Sequence, residues 1–572
     1  MSAVAVTVVV AGCGGGGGST PDTSSSSNGL SLTDSAQAST LPVDGSSTAL
    51  TEEVFSSAPT QALAESLVQA SLAEGAAETP VSSTPEVTSE DVVVAEASVA
   101  AADTGAEAAI SGRASAAGLT VTSTPCTSLP PLPAIPSDAL KVTNFGAIPN
   151  DTLPDDAAIS RALKALKPGQ WLIFPPGKYI QAKSIYLTVP NAVLWGQGAS
   201  LHATNPDDQT VGLNADGASI YGFTLTAVTD YRRTAARHAR ISVYRDSTLP
   251  GLQSGNVVRR NVITHTASSA NGGSGGVLVY RSKDFTIAEN TIRRTLADGI
   301  HITAASHNGK VMYNTVSETG DDMIGIVSYM GAGWQNKIKT IVGFKTNVLP
   351  TYQVHDIYVA NNDLGGNYWG RGIGIVGANN ITVKNNNIHN VTRAAGILIG
   401  QEASYYTFGS KNILVTGNTI SKIQTVRAAY VPEADVALQR VLNTTHTTGH
   451  GGIEVYAYGN SPADLADPVL RPFITVGNIK IENNNISEVI RDGVRIGVSS
   501  GSQLVGQSTI KSNTLRRIQL KGLNNVLPTT AKSFCSGNTK DGAAVTDASC
   551  TLSAAAAPVV TGAVLNCSGM LN

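Results

Sequence analysis

The chain has 572 residues, a formal charge of −3, 42% hydrophobic side chains and five cysteines. Its charge is unevenly spread: residues 14–112 hold 14 acids and no Lys or Arg, while residues 113–572 hold all 39 Lys and Arg against the other 28 acids, about +11. The acidic stretch, rich in Ala, Ser, Thr, Gly and Pro, is a linker composition that cannot bury enough apolar surface to fold. This excludes a chain that is globular throughout, and the apolar N-terminal run is too short to span a bilayer.

In chain order, residues 1–12 are an apolar run ending in Val10, Ala11 and Gly12, followed by Cys13 and five glycines. This resembles a bacterial lipobox, which implies a cleaved signal peptide, a lipid on Cys13 and a membrane anchor in the cell envelope. Gly14 after the cysteine resembles the outer-membrane sorting pattern; an exported or extracellular place is the alternative. Residues 13–135 form the disordered acidic linker. The cationic remainder suits an anionic polymer, and no recognised nucleic-acid-binding motif is present.

A folded domain is expected over 136–530. From Asp155 to Leu166 the pattern predicts an amphipathic helix with Ala157, Ile159, Leu163 and Leu166 on one side and Asp155 and Asp156 favouring its start. Such a helix would cap the first coil of a solenoid. The densest basic segment follows, Arg232, Arg233, Arg237 and Arg240 with His238: a clamp for a polyanion, or a solvated loop.

A phrase of the form Val/Ile-x-x-Asn-x-Ile/Leu/Val then recurs, with asparagine at 261, 290, 314, 362, 386, 418, 484 and 513. Two of the gaps are 24 residues and one is twice that. A period in the twenties with short apolar strands means a solenoid. Asparagine tolerates the left-handed conformation and bonds neighbouring backbone, so a column of them at a turn predicts an all-β, parallel β-helix.

Each coil has a second strand in which two apolar residues flank a variable one: Leu278, His301, Gly325, Gly374, Leu398, Glu454 and Arg495. Alternation of side chains turns these variable residues outward, into one column and the expected working face. Two positions before each first inward residue stand Gly275, Asp298, Asp322, Arg371, Ala395, Gly451 and Asp492. Asp298, Asp321 and Asp322 therefore gather on consecutive coils. Crowded carboxyls cannot all ionise cheaply, so at least one should hold its proton to unusually high pH. Adjacent coils put Asp298 and Asp322 about 5 Å apart at the backbone, nearer a retaining than an inverting carboxylate pair.

On the same face, His301 could bind a substrate carboxylate or tune Asp322. Tyr368 and Trp369 beside Arg371 suggest an aromatic platform and a cation for a sugar ring and its acid. Glu402, with Gln401, Tyr405 and Tyr406, could line subsites one coil later. Residues 531–572 form a C-terminal segment whose Cys535, Cys550 and Cys567, with Cys126, allow three disulfide connectivities. No histidines stand at metal-ligand spacing, so no metal is expected.

The helix block and the phrases Val142 to Ala147 and Trp171 to Tyr179 resemble the entry segment of the pectin-lyase-like superfamily of right-handed parallel β-helices, over roughly residues 140–525. Ala297, Asp298 and Gly299, then Gly320, Asp321 and Asp322, look like the N-T-D-G and G-D-D motifs of glycoside hydrolase family 28, the polygalacturonases. That resemblance implies hydrolysis of an anionic polysaccharide by single inverting displacement, with Asp321 as general acid and Asp298 and Asp322 holding water. A monomer without cofactor is expected. The family's G-H-G and R-I-K phrases have only distant echoes here, at Gly449, His450 and Gly451 and at Arg495, Ile496 and Gly497. A uronan lyase or epimerase is the alternative implied by the fold, with Arg371 or the Arg232–Arg240 segment as base and calcium on Asp298, Asp321, Asp322 and Asp363. A non-catalytic carbohydrate-binding solenoid is the third.

Overall fold

The computed structural model describes residues 129–228, 232, 235–246, 249–265, 273–330, 353–428, 430, 449–497, 504–527, 533–545, 560, 562 and 563. Cys13, Cys126, Arg233, Cys550 and Cys567, the signal run and nearly all of the linker lie outside them.

Short strands of two to six residues follow one another in a three-sided coil, each pairing with its counterpart one turn away. Among the described residues this gives sheets of 15, 11 and 13 strands, parallel except for the last pair of the 13-stranded sheet, Thr539–Lys540 with Ala543–Ala544. The 11-stranded sheet carries the expected working face. In chain order its strands are β1 (Ile185–Leu187), β2 (Val211–Leu213), β3 (Ala239–Tyr244), β4 (Gly275–Tyr280), β5 (Ile300–Thr303), β6 (Ile324–Val327), β7 (Ile373–Val376), β8 (Ile397–Glu402), β9 (Ile453–Tyr458), β10 (Val494–Ile496) and β11 (Leu523–Asn525).

The inward pairs hold the stack together. Ile300 and Ile302, Ile324 and Ile326, Ile373 and Ile375, and Ile397 and Ile399 sit in register and are wholly buried. They belong to one core that runs from Val142 to Leu527. Removing any of these isoleucines to alanine costs about 2–5 kcal/mol.

The asparagine column is a continuous hydrogen-bonded ladder. The backbone N–H and the Nδ2 of Asn290 both donate to Oδ1 of Asn314, at 3.0 Å each. Asn314 repeats this toward Asn362, Asn362 toward Asn386, Asn386 toward Asn418, Asn418 toward Asn484 and Asn484 toward Asn513. Asn513 extends it to Asn538, a rung the sequence phrase did not reveal. Thr539–Lys540 also pairs in parallel with Thr514–Ile518, so the stack runs past residue 530. Cys535 lies in the preceding strand, Phe534–Ser536, which pairs with Ser508–Lys511.

One expectation about this corner is corrected. The left-handed residue is the one before each asparagine: φ is 57° at Arg260, 55° at Glu289, 58° at Tyr313, 56° at Asn361 and 55° at Asn385. This conformation is costly for a residue with a Cβ, and the ladder bonds on either side hold it.

Helix α1 (Asp156–Ala165) forms where expected. Its buried face is Ala158, Ile159 and Ala162, with Leu166 after it, whereas Ala157 is exposed. Asp155 and Asp156 do not cap it. Asp155 accepts the backbone N–H groups of Ile148 and Ile180, and Asp156 those of Ala182 and Lys183, tying the helix start to the neighbouring strand. Among the described residues no helix is long and apolar enough to cross a membrane.

Candidate active site

The outward column has the register its alternation implied. Leu278 pairs with His301, His301 with Gly325, Gly325 with Gly374, Gly374 with Leu398, Leu398 with Glu454 and Glu454 with Arg495. At the turn before these strands, Gly276 donates to the carbonyl of Asp298, Gly299 to that of Asp322 and Met323 to that of Arg371. The acids and Arg371 therefore climb the same corner.

A threonine shapes each of the two acid-bearing turns. Thr295 Oγ1 donates to Ala297 O and Thr319 Oγ1 to Asp321 O, both at 2.8 Å. Gly370, with φ +73°, closes the wall behind the pair, where a Cβ would stand 2.4 Å from the Asp321 carbonyl carbon. In front, Gly374 leaves room that the Asp322 carboxylate fills: a Cβ there would lie 2.1 Å from Oδ2.

Asp298, Asp321 and Asp322 line one pocket together with His301, Arg371, Glu402, Tyr329 and Tyr405. One oxygen from each of the three aspartates lies within 4.8 Å of the others. Asp321 thus joins the adjacent-coil pair at its nearest oxygens.

Each acid has a different partner. His301 Nδ1 contacts Asp298 Oδ2 at 2.8 Å, so its carboxylate partner is Asp298 rather than Asp322. Arg232 Nη2 pairs with Asp321 Oδ2 and Nη1 reaches Gly320 O at 3.4 Å. Asp322 Oδ1 accepts the backbone N–H of Arg371 at 2.7 Å, and the Arg371 guanidinium is 3.7 Å from Oδ2. Arg371 also pairs with Glu402, which accepts the Tyr456 hydroxyl as well.

These surroundings separate the acids electrostatically. Burial pushes the Asp322 carboxyl well above the usual range, and Asp321 and Asp298 add to that against the pull of Arg371. Burial alone would lower Arg371, but Glu402 and Asp322 outweigh it and hold the guanidinium charged. Arg232 is likewise raised, burial being outweighed by Asp321 and Asp298. The Tyr329 hydroxyl is kept protonated by burial and by Asp298 and Glu402. The three aspartates are also a possible cation site by donor type. Arg232 and Arg371 already supply two positive charges there, which leaves little demand for a divalent ion.

Tyr368 is fully buried, against Gly320 and 6.3 Å from the Tyr430 ring, so it offers no face to a sugar. Trp369 is half-buried, with Arg393 4.8 Å from its ring, and is not in the pocket wall. Sequence reading missed Tyr329 and Thr407, which bridge the segments after β6 and β8 and build one wall. Tyr329 has the outward parity of Gly325 and Val327, the signal that could have found it. Nothing local paired Arg232 with an acid 89 residues away.

The fold is a right-handed parallel β-helix. Residues 209–462 match the family model described as right handed beta helix region. The chain is similar to the catalytic domain of a GH87 alpha-1,3-glucanase solved in complex with tetrasaccharides, at 15% identity and TM-score 0.50, over 72% of this chain and 71% of that one. It is also similar to the A-module of the Azotobacter vinelandii mannuronan C-5 epimerase AlgE6, at 15% identity and TM-score 0.47, over 70% and 99%. A third similar structure is the Yersinia enterocolitica family 28 exopolygalacturonase, at 13% identity and TM-score 0.40, over 72% and 79%. No curated protein sequence matches.

Proposed function

We propose that the chain is a carbohydrate-active enzyme that hydrolyses glycosidic bonds of an acidic, uronate-bearing polysaccharide at Asp298, Asp321 and Asp322. The observation that carries this reading is the cluster itself: three carboxylates with oxygens within 4.8 Å in an outward pocket, one driven toward its protonated form and two held by basic side chains. Asp322 gives its proton to the leaving glycosidic oxygen. Asp321, paired with Arg232, faces the positive charge that develops at the anomeric carbon, and Asp298 with His301 positions the water that adds there and takes the proton it loses. This moves to Asp322, whose carboxyl burial raises, the proton-donor role that the motif resemblance implies for Asp321.

The lyase and epimerase alternatives need a base next to a uronate carboxylate. Arg371 and Arg232 are poor bases, since their ion pairs hold them charged. The GH87 glucanase of similar fold, solved with tetrasaccharides, is a precedent for a glycan on such a frame. The net charge of about +11 over residues 113–572 favours an anionic polymer. A lipid on Cys13 would hold the enzyme at the bacterial envelope, and fatty-acid labelling lost in Cys13→Ser tests that.

The test is incubation of the full chain with a panel of uronans and neutral glycans, following reducing ends and ultraviolet absorbance together. New reducing ends without absorbance are expected. Both rising means elimination. Binding without either means a surface solenoid.

A further inference from the structure

Four carboxyl groups line the pocket, those of Asp298, Asp321, Asp322 and Glu402. Three of them are met by a basic side chain: His301 contacts Asp298 at 2.8 Å, Arg232 pairs with Asp321 and Arg371 pairs with Glu402. Among the described residues Asp322 is the acid left over. Its nearest cationic atom is Arg371 Nη1 at 3.7 Å, beyond hydrogen-bond reach, and its close donor is the Arg371 backbone N–H at 2.7 Å. Which acid is left over therefore depends on Arg371, whose guanidinium stands between Asp322 and Glu402.

The surroundings of Glu402 explain why the guanidinium leans its way. Glu402 ends β8, and its backbone is closed on itself: the N–H donates to Thr407 Oγ1 at 2.8 Å, and the carbonyl accepts the Thr407 N–H at 3.2 Å, across the turn Ala403–Tyr405. The Tyr456 hydroxyl, from β9, donates to the same Oε1 that takes Arg371 Nη2. The Glu402 side chain is 10% exposed, so its ionised form needs a cation in contact. Against the burial that would lower it, the Arg371 guanidinium is held charged first by Glu402 and then by Asp322. A guanidinium in contact with Asp322 would favour the carboxylate and remove the proton that a leaving glycosidic oxygen requires. Drawn off to 3.7 Å and shared, it exerts a weaker pull.

We propose that Glu402 is a positioning residue for hydrolysis: by drawing the Arg371 guanidinium toward β8, it keeps that cation out of contact with Asp322 and leaves Asp322 the carboxyl that carries the proton to be donated. This rests on the reading of Asp322 as proton donor. Besides Glu402, the titratable and charged groups around Asp322 are Asp298 and His301 at β5, Asp321 in the same turn, Arg232 behind Asp321, Arg371, and Tyr329 after β6. Of these, Arg371 is the one that Glu402 touches.

The experiment compares the full chain with Glu402→Gln, which keeps the shape and loses the charge. Turnover is followed from acid to alkaline pH on polygalacturonate and polymannuronate and on nitrophenyl uronides of the same sugars, whose leaving group needs no proton. With Glu402 neutral, Arg371 turns to Asp322, so the alkaline limb of kcat on the polymer should move to lower pH by about one unit or more. Polymer turnover at neutral pH should then fall by about ten-fold, recovering in acid, with a much smaller loss on the nitrophenyl uronide. Removing the cation as well, in Glu402→Gln with Arg371→Gln, should return the limb to the parent position or above it. Glu402→Asp, which keeps the charge, should show a smaller shift in the same direction and covers the case where Glu402→Gln does not fold. An unmoved limb with equal losses on both substrates at every pH, or a raised KM with kcat unchanged, overturns the positioning role and leaves the parent reading intact. Failure of the unsubstituted chain to cleave any uronan or glycan of the panel overturns the parent reading, and the role of Glu402 with it.

Discussion

The asparagine corner and the outward column of the 11-stranded sheet are built on the same coils and follow opposite rules. At the corner one residue type repeats from Asn261 to Asn538 with the same two bonds at every rung. In the column the residue type changes along the stack: His301, two glycines, Leu398, Glu454, Arg495. Repetition marks what the stack needs, and its absence marks where a ligand can be recognised. The αL residue before each asparagine makes the same point, since Arg, Glu, Tyr, Asn and Ser all stand there while the ladder holds the backbone.

Substitutions on the two sides should therefore separate activity from stability. Asp322→Asn should have the largest effect, a loss of about 10²–10⁴-fold in turnover with the fold retained, measured by reducing-end release beside thermal melting. Its stability should also change with pH in a fixed direction. The folded-state pKa of Asp322 is raised above its unfolded value, so the carboxyl contributes most below the usual carboxylate range and loses that contribution as pH rises through the raised pKa. Asp322→Asn should thus melt above the parent at neutral pH, with the gap closing in acid. The opposite slope would show that the site holds this carboxyl ionised.

Asn314→Ala should act on the other side of the comparison. It strands the N–H and amide of Asn290 and should cost about 2–4 kcal/mol in urea unfolding while activity per folded molecule is kept. Gly374→Ala lies between the two: its Cβ enters the space of Asp322 Oδ2, so turnover should fall by about ten-fold or more with little change in melting. The smallest effect should come from Trp369→Ala, which lies outside the pocket wall. A large loss of activity there would restore the aromatic platform.

What could be read from the sequence follows the same division. The ladder and the outward column were legible because periodicity of two within strands and of about 24 between coils is written in side-chain type. Asp298, Asp321 and Asp322 were legible as neighbours because the ladder counts register. Their partners were not. Arg232 reaches Asp321 from a segment 89 residues upstream, a contact set by how the chain returns to that coil. Tyr368 looked like a platform because it neighbours Trp369 and Arg371, but it packs under Gly320, one coil away in space. Glu402 was placed on the face correctly, while its pairing with Arg371 and Tyr456 depends on three separate coils stacking. Asp155 and Asp156 bind a neighbouring strand because those N–H groups lacked partners, a need that no helix pattern reveals.

The most direct test of the site is a pair of variants assayed on two kinds of substrate. Asp322→Asn and Asp321→Asn would be compared on a natural uronan and on an aryl glycoside of the same sugar, whose leaving group needs no proton. If Asp322 is the proton donor, Asp322→Asn should lose far more activity on the polymer than on the aryl glycoside, while Asp321→Asn loses both alike. Full activity of Asp322→Asn on the polymer would contradict the account, and the selective loss appearing in Asp321→Asn would return the acid to the residue that the motif resemblance names.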